Sequence, residues 1–330
     1  MNTSKLKQLF IVAACCALPA LPAAAQNENA AAGYPSRPIR WLVPFSPGGL
    51  GDTLVRAVGQ QLSERLKQPV IVENRAGASQ IIAMEATAKA APDGYTIALA
   101  SQGGMVLNTI AKKKLPYDPI KDFAPITMLA TSPLYVVVHP SLQANSISEL
   151  IALAKSQPGK LTYASIGNGS AQHLATEMFK SMTGIDIMHV PYRGSGGAIT
   201  DVATGQVHIM FEGAASSMPY VRQNKLRLLG TTGTARIKDQ ANVPIVAETV
   251  PGYNMIVWFG MVAPAGTPKP IVDRLNKEVS EILRMPAVLQ MAANLGVETT
   301  SSTPEELAVR IREEVKGAHR IAMAADIKPE

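Results

Sequence analysis

One unit constrains what this chain can fold into: a short apolar strand that runs into a Gly-rich turn and straight on into a helical pattern, written twice. Trp41-Leu42-Val43-Pro44-Phe45-Ser46-Pro47-Gly48-Gly49-Leu50 is the first copy, with a strand over 39–45 and a helix from about Leu50. The second runs from a strand over 161–165 through Ile166-Gly167-Asn168-Gly169-Ser170 into a helix that carries His173. Apolar strands alternating with helices argue for an α/β fold with mainly parallel strands. The pattern continues in the first half with strands over 70–73 and 96–101 and helices over 50–67 and 81–90. It restarts in the second half with strands over 187–192, 208–211 and 226–231 and helices beginning near Ser146, Ser170, Gly197 and Ser216. Ser146-Ile147-Ser148-Glu149 and Thr303-Pro304-Glu305-Glu306 have capping-box spacing and mark two helix starts.

Two long extended stretches, 122–140 and 243–268, lead into the second block and back out of it. Three helices, from about Pro270, Ala287 and Pro304, finish the chain. A block entered by one long strand and left by another implies two lobes with a cleft between them, able to close by a hinge motion. The expected division is 34–125 plus 254–330 as lobe 1 and 126–253 as lobe 2.

Residues 1–25 read as a secretory signal peptide. Lys5 and Lys7 precede an apolar run over 9–21, and Ala23-Ala24-Ala25 offers a cleavage site. That run is too short to span a bilayer. Cleavage would remove both cysteines, Cys15 and Cys16, leaving an exported chain whose core of roughly 300 residues needs no disulfide. Val12-Ala13-Ala14-Cys15 also has the form of a lipoprotein cleavage box, the less favoured reading. The formal charge of +6 loses Lys5 and Lys7 with the leader, which leaves +4. The one dense basic run, Lys112-Lys113-Lys114, has few aromatic residues near it and reads as a solvated loop, so nucleic acid is not an expected partner.

The first N–H groups of a helix have no partner within it and lie at the positive end of its dipole, and glycines let an oxyanion approach them. The two Gly-rich turns are thus natural cradles for a carboxylate or phosphate. Neither is a P-loop, since no Gly-Lys-Ser/Thr follows, and neither has the dinucleotide fingerprint. Asp52 in the first helical turn reads equally as a cap or as a ligand contact. No Gly-x-Ser-x-Gly or His-Glu-x-x-His occurs, and the five histidines do not form a metal-ligand cluster by spacing, so neither an enzyme nor a cofactor is expected. Ser170 and His173, three apart on one helix, could mimic a nucleophile and base, but the favoured reading is a capping Ser followed by a packed or cleft-lining His. Met105, Met178, Met182 and Met188 read as core, and Trp41, Trp258 and Phe259 as core or hinge.

Several motifs occur in order: Tyr34-Pro35-Ser36-Arg37-Pro38-Ile39-Arg40, Pro44-Phe45-Ser46-Pro47-Gly48-Gly49, Glu73-Asn74-Arg75, Ala91-Pro92-Asp93-Gly94-Tyr95 and Leu115-Pro116-Tyr117-Asp118. Gly167-Asn168-Gly169-Ser170-Ala171-Gln172-His173-Leu174, His189-Val190-Pro191-Tyr192 and Ala263-Pro264-Ala265-Gly266-Thr267-Pro268 follow. In these motifs the chain resembles the Bug, or TctC, family of extracytoplasmic solute-binding proteins of tripartite tricarboxylate transporters. The resemblance implies a two-lobe Venus-flytrap fold of type II with two crossing strands as hinge. It also implies a monomer that captures a small carboxylate in the periplasm and delivers it to membrane permease subunits.

The positions that match the family's carboxylate-holding loops are Phe45, Ser46, Gly48, Gly49 and Asp52 on one lobe and Ser165, Gly167, Gly169, Ser170 and His173 on the other. Ser101 and Glu212 stand at the far wall. The chain departs from the family there: Gly104 stands where a hydroxyl residue is common and Glu212 where Asp is common. Ala76-Gly77-Ala78-Ser79-Gln80-Ile81-Ile82-Ala83 replaces a more Gly-rich Pro-Gly-Ala-Gly-Gly-Asn-Ile-Gly, which implies a stiffer, bulkier loop. The competing reading is a sensor that presents its solute to a membrane receptor or kinase.

Overall fold

The computed structural model describes residues 33–329 apart from 46, 49, 193, 238, 239, 325 and 326. The leader reading of residues 1–25, with Cys15, lies outside the described residues, as do Ser46 and Gly49 of the first loop.

The first half of the chain builds strand β1 (Ile39–Val43), helix α1 (Leu50–Leu66), strand β2 (Val70–Asn74), helix α2 (Ile81–Ala88) and strand β3 (Thr96–Ser101). Parallel pairing puts β1 between β2 and β3. A π-helical turn over Gly103–Leu107 and a short helix α3 (Asn108–Ala111) follow. Sequence reasoning gave this segment no element.

The chain then crosses in strand β4 (Phe123–Val138) and repeats the plan: helix α4 (Ile147–Ser156), strand β5 (Thr162–Ser165), helix α5 (Ala171–Thr183), strand β6 (Met188–Pro191), helix α6 (Ser195–Ala203), strand β7 (Ile209–Gly213), helix α7 (Ala214–Arg222) and strand β8 (Arg227–Thr231). Here β5 lies between β6 and β7, again in parallel. Strand β9 (Ile256–Pro264), helices α8 (Lys269–Ile282) and α9 (Pro286–Asn294), strand β10 (Glu298–Thr299) and helix α10 (Pro304–Ala324) complete the chain. The predicted elements thus recur within a few residues of their expected ends.

Strand β4 joins the two halves. From Phe123 to Pro133 it pairs with β9, and from Leu134 to Val138 with β7 and β8. Pro133 sits where the partners change, a position suited to a residue with no N–H to give to a ladder. Thr232 fastens the junction, because its hydroxyl accepts from Leu134 N–H at 2.8 Å and its own N–H donates to Leu134 C=O at 2.8 Å. The returning stretch is not strand throughout. It includes a 3₁₀ turn over Val246–Glu248 before β9 begins at Ile256, opposite Pro133.

Apolar spacing explains the layers. Helix α8 buries Ile271, Val272, Leu275, Val279 and Ile282, a stripe along one helical face, and packs with α1 over Trp41, Val43 and Leu99. A second cluster around Val137, Met210, Ala198 and Val202 lies under α6. The third cluster runs through both halves, from Leu42 and Met105 past Trp258 and Ile311 to Val136, Phe179 and Phe211. Helix α10 supplies Leu307 and Ile311 to it and packs against β4, the π-helical turn and α5. It starts at a reciprocal cap: Thr303 Oγ1 accepts from Glu306 N–H at 3.1 Å and Glu306 Oε2 from Thr303 N–H at 2.8 Å. Among the described residues no helix is long and apolar enough to cross a membrane.

Candidate functional site

In each half the middle strand leads into a Gly-rich loop. In each half the chain passes from the middle strand to its neighbour on one side and then crosses back to its neighbour on the other, so the winding reverses at the middle strand. Open α/β sheets bind ligands at such switch points. The two loops singled out by sequence occupy the two switch points of this sheet.

Asp52 organises the first loop. Buried in the first turn of α1, its carboxylate accepts from Gly48 N–H at 2.8 Å, from Arg56 Nε at 3.0 Å and from Asn74 Nδ2 at 2.8 Å. Asn74 Nδ2 also donates to Phe45 C=O at 3.0 Å, and Arg56 Nη2 to Asn74 Oδ1 at 2.8 Å. Burial alone would raise the carboxyl pKa, but the bonds from Arg56, Gly48 and Asn74 outweigh it and hold the group below its ordinary range. Gly51 lets the turn close: a Cβ there would lie 2.7 Å from the Phe45 ring. That ring meets Phe259 edge-on at 6.0 Å between centroids.

The second loop is tied by hydroxyls and imidazoles. Ser170 caps α5, its Oγ accepting from His173 N–H, and His173 Nδ1 accepts from Gly169 N–H at 3.0 Å. Ser165 Oγ accepts from Gly167 N–H at 3.1 Å and bonds His189 Nε2 at 2.6 Å. His173, His189 and Tyr163 form a stack, with centroids 4.0 and 4.8 Å apart. Tyr163 OH donates to Glu177 Oε1 at 2.6 Å, which also pairs with Lys180 Nζ at 2.7 Å. Burial lowers both histidines, His189 to about 4 with His173 adding to the shift, so the stack favours neutral imidazoles. Gly167 and Gly169, at φ 127° and 72°, hold angles that favour glycine.

Three amides read from the sequence as anion donors, those of Gly48, Gly167 and Gly169, thus donate inside their own loops. The physical reason is proximity, since a short polar side chain near a helix start reaches the nearest unpaired N–H groups.

Ser101 and Glu212, expected at the far wall, lie at the carboxyl ends of β3 and β7. Ser101 Oγ donates to Gln80 Oε1 at 2.5 Å and accepts from Gly104 N–H at 3.3 Å. Gln80 reaches it from a backbone in which Gly77, Ala78, Ser79 and Gln80 all have positive φ, of 121°, 44°, 53° and 78°. Ser79 and Gln80 hold the left-handed conformation without being glycine. Glu212, 3% exposed, is the penultimate residue of β7. Its Oε1 accepts from Gly213 N–H at 2.7 Å and from Gln172 Nε2 at 3.5 Å, while Oε2 is buried with no partner among the described residues. Burial raises its pKa more than the neighbouring polar groups of Gly213, Ser195 and Gln172 lower it.

The halves meet at this site, for a Cβ on Gly169 would lie 3.1 Å from Ala111 Cβ of α3. Sequence reasoning missed His189, Asn74 and Gln172 as builders of the site; their only signal was membership of ordered motifs, because each acts across a fold contact. Gln80 reads from sequence as added bulk in its loop, not as the partner of Ser101. Among the described residues no group of three or more His, Cys, Asp or Glu is placed to hold a metal ion.

The family model described as "Tripartite tricarboxylate transporter family receptor", TctC, matches residues 54–327. Protein BugT of Bordetella pertussis is 37% identical over 287 residues, covering 86% of this chain and 87% of that protein. A structure of an R. palustris protein with adipate superposes with a TM-score of 0.74 at 34% identity, covering 90% of this chain and 100% of the other. The structure of MatC from Rhodopseudomonas palustris with bound malate gives 0.69 at 29% identity, covering 87% and 99%.

Proposed function

Because this chain belongs to the tripartite tricarboxylate transporter receptor family, we propose that it is a periplasmic solute-binding protein that captures a small carboxylate between its two lobes and delivers it to membrane permease subunits. The two-lobe fold of the solute-binding relatives is the frame for this reading. Lobe 1 comprises 34–125 plus 254–330 and lobe 2 comprises 126–253. The chain enters the periplasm through a signal peptide cleaved after Ala25, and it performs no catalysis.

The observation that carries this reading is the placement of two Gly-rich helix starts at the two switch points of one sheet. The relatives solved with adipate and malate support a carboxylate as occupant. Ser170 and Ser165 hydroxyls, first-turn amides of α1 and α5, and Phe45 form the near side of the proposed site, with Gly48, Gly167, Gly169, Asp52 and His173 fixing the loops. Ser101 and Glu212 form the far side. Binding favours the closed arrangement, which the permease recognises.

Thermal unfolding of the chain from Gln26, freed of bound solute by unfolding and refolding, tests this. Adipate, malate, glutamate and benzoate are compared with their amides. A ligand at 100 times its dissociation constant adds about 2.7 kcal/mol. The expected result is a raised midpoint with one carboxylate and none with its amide; equal shifts with acid and amide, or none across the panel, would overturn the reading.

A further inference from the structure

We propose that a second ligand site, separate from the glycine loops and independent of the function proposed for them, lies where the C-terminal helix meets both halves of the sheet, and that it takes a small amphipathic amine. A cavity of about 230 Å³ lies between α10, α5 and the π-helical turn, with apolar walls from Val106, Leu174, Met178 and Ile321. That is below the usual range of roughly 300–1,000 Å³ for small-molecule sites, so the occupant is small.

Gln102 lines this cavity and is 3% exposed. Its Nε2 donates to Glu314 Oε2 at 3.2 Å and lies 3.8 Å from Met255 Sδ, while its Oε1 has no partner among the described residues. A buried carbonyl oxygen without a donor is an unfavourable arrangement that a donor brought in by a ligand relieves.

The charge around the opening sets the ligand's sign. Glu305, Glu306, Glu313 and Glu314 border the adjoining hollow, against the single guanidinium of Arg310. Arg310 Nη1 pairs with Glu314 Oε1 at 2.9 Å, and Lys316 pairs with Glu313 on the outer surface. The chain without its leader carries a formal charge of +4, so this entrance is opposite in sign to the net charge and attracts cations. An ammonium head donates to Gln102 Oε1 beside the Glu314 carboxylate, and a short aliphatic body lies against Leu174, Met178 and Ile321. The anion expected at the glycine loops is excluded by the same charge.

The indole of Trp258 reports on this site, since its Nε1–H donates to Glu314 Oε2 at 2.7 Å, whereas Trp41 belongs to the separate cluster under α1 and α8. Titration of the ¹⁵N-labelled protein with n-hexylammonium is expected to move the Trp258 indole resonance saturably and leave that of Trp41 in place. Hexanoate is expected to leave the Trp258 resonance unmoved. Gln102→Met should weaken hexylammonium binding at least tenfold. Gly317→Leu should abolish it by filling the cavity; a Cβ at Gly317 meets no atom within 4 Å, and Leu suits a helix better than Gly, so this variant folds even if the first does not. The proposal is overturned by the absence of a saturable shift, by equal binding of 1-hexanol, or by affinity unchanged in both variants.

Discussion

Asp52 shows how one side chain fixes a loop that sequence alone renders as glycine and proline. Its carboxylate gathers Gly48 N–H, Arg56 and Asn74, so Asp52→Ala removes the acceptor of three donors and leaves Gly48 N–H and Asn74 short of an acceptor. Losing charge-assisted bonds from a buried group is expected to lower stability by about 2–3 kcal/mol in urea unfolding and to weaken carboxylate binding by loosening the loop. His189 makes a prediction in pH. Its folded pKa, about 4, lies below the ordinary value, so between pH 6.5 and 4 the unfolded chain binds the proton first. Stability therefore falls as pH drops through that window, by up to about 1.4 kcal/mol per pH unit for one group. His173 and His208, also lowered, act in the same direction. Glu212 and Glu314, whose pKa values are raised, act in the opposite direction above the ordinary carboxylate value. The test is thus a difference: the stability of His189→Asn should decline less between pH 7 and 4.5 than that of the parent, and parallel curves would refute the assignment.

At the scale of elements, helix starts and strand cores obey local rules, and loops between them obey their neighbours. The Ser146 and Thr303 caps form because a hydroxyl and a carboxylate three residues apart satisfy unpaired N–H groups at once. In the second, Glu306 returns to Thr303 N–H; in the first, Glu149 reaches one residue further, to Asn145 N–H at 2.7 Å. The segment 77–80 follows no such rule. Three non-glycine residues in the left-handed region are held by Gln80 bonding Ser101 and by Asn108 Nδ2 donating to Ser79 C=O at 2.8 Å. Such conformations cost about 1–2 kcal/mol per residue. Ser79→Gly, which keeps both bonds, is expected to raise stability by about 0.5–1 kcal/mol after allowance for the greater entropy of the unfolded chain. The urea midpoint measures it, and a loss of stability would show that the loop is unstrained.

For the whole molecule, β4 is the strand that runs through both halves of the sheet. It gives its first part to β9 and its second to β7 and β8, and Thr232 pins the change of partners. Thr232→Val keeps the shape but strands the buried Leu134 N–H, a loss of about 1–3 kcal/mol. If the junction is the hinge, the variant should also alter the change in radius of gyration that a bound carboxylate produces in small-angle scattering. A stability loss with an unchanged scattering response would place the hinge elsewhere.

Most of the fold was legible in the sequence because alternating strands, helical stripes and caps are set by residues within one or two turns of each other. The two glycine loops were legible for the same reason, since a strand end, a turn and a helix start are contiguous. Other features lay beyond local reading. The two-residue β10 exists only because β4 offers it an edge at Ala130 and Thr131. The pairing of Ser165 with His189, of Ser101 with Gln80 and of Gln102 with Glu314 joins residues 24, 21 and 212 positions apart. What the sequence by itself determined was where the chain turns and which faces it must bury, because those follow from local sterics and apolar spacing. Which amides stay free, which polar atoms are left without partners and where a cavity opens were decided by the tertiary structure, because each depends on groups that only packing brings within hydrogen-bond reach.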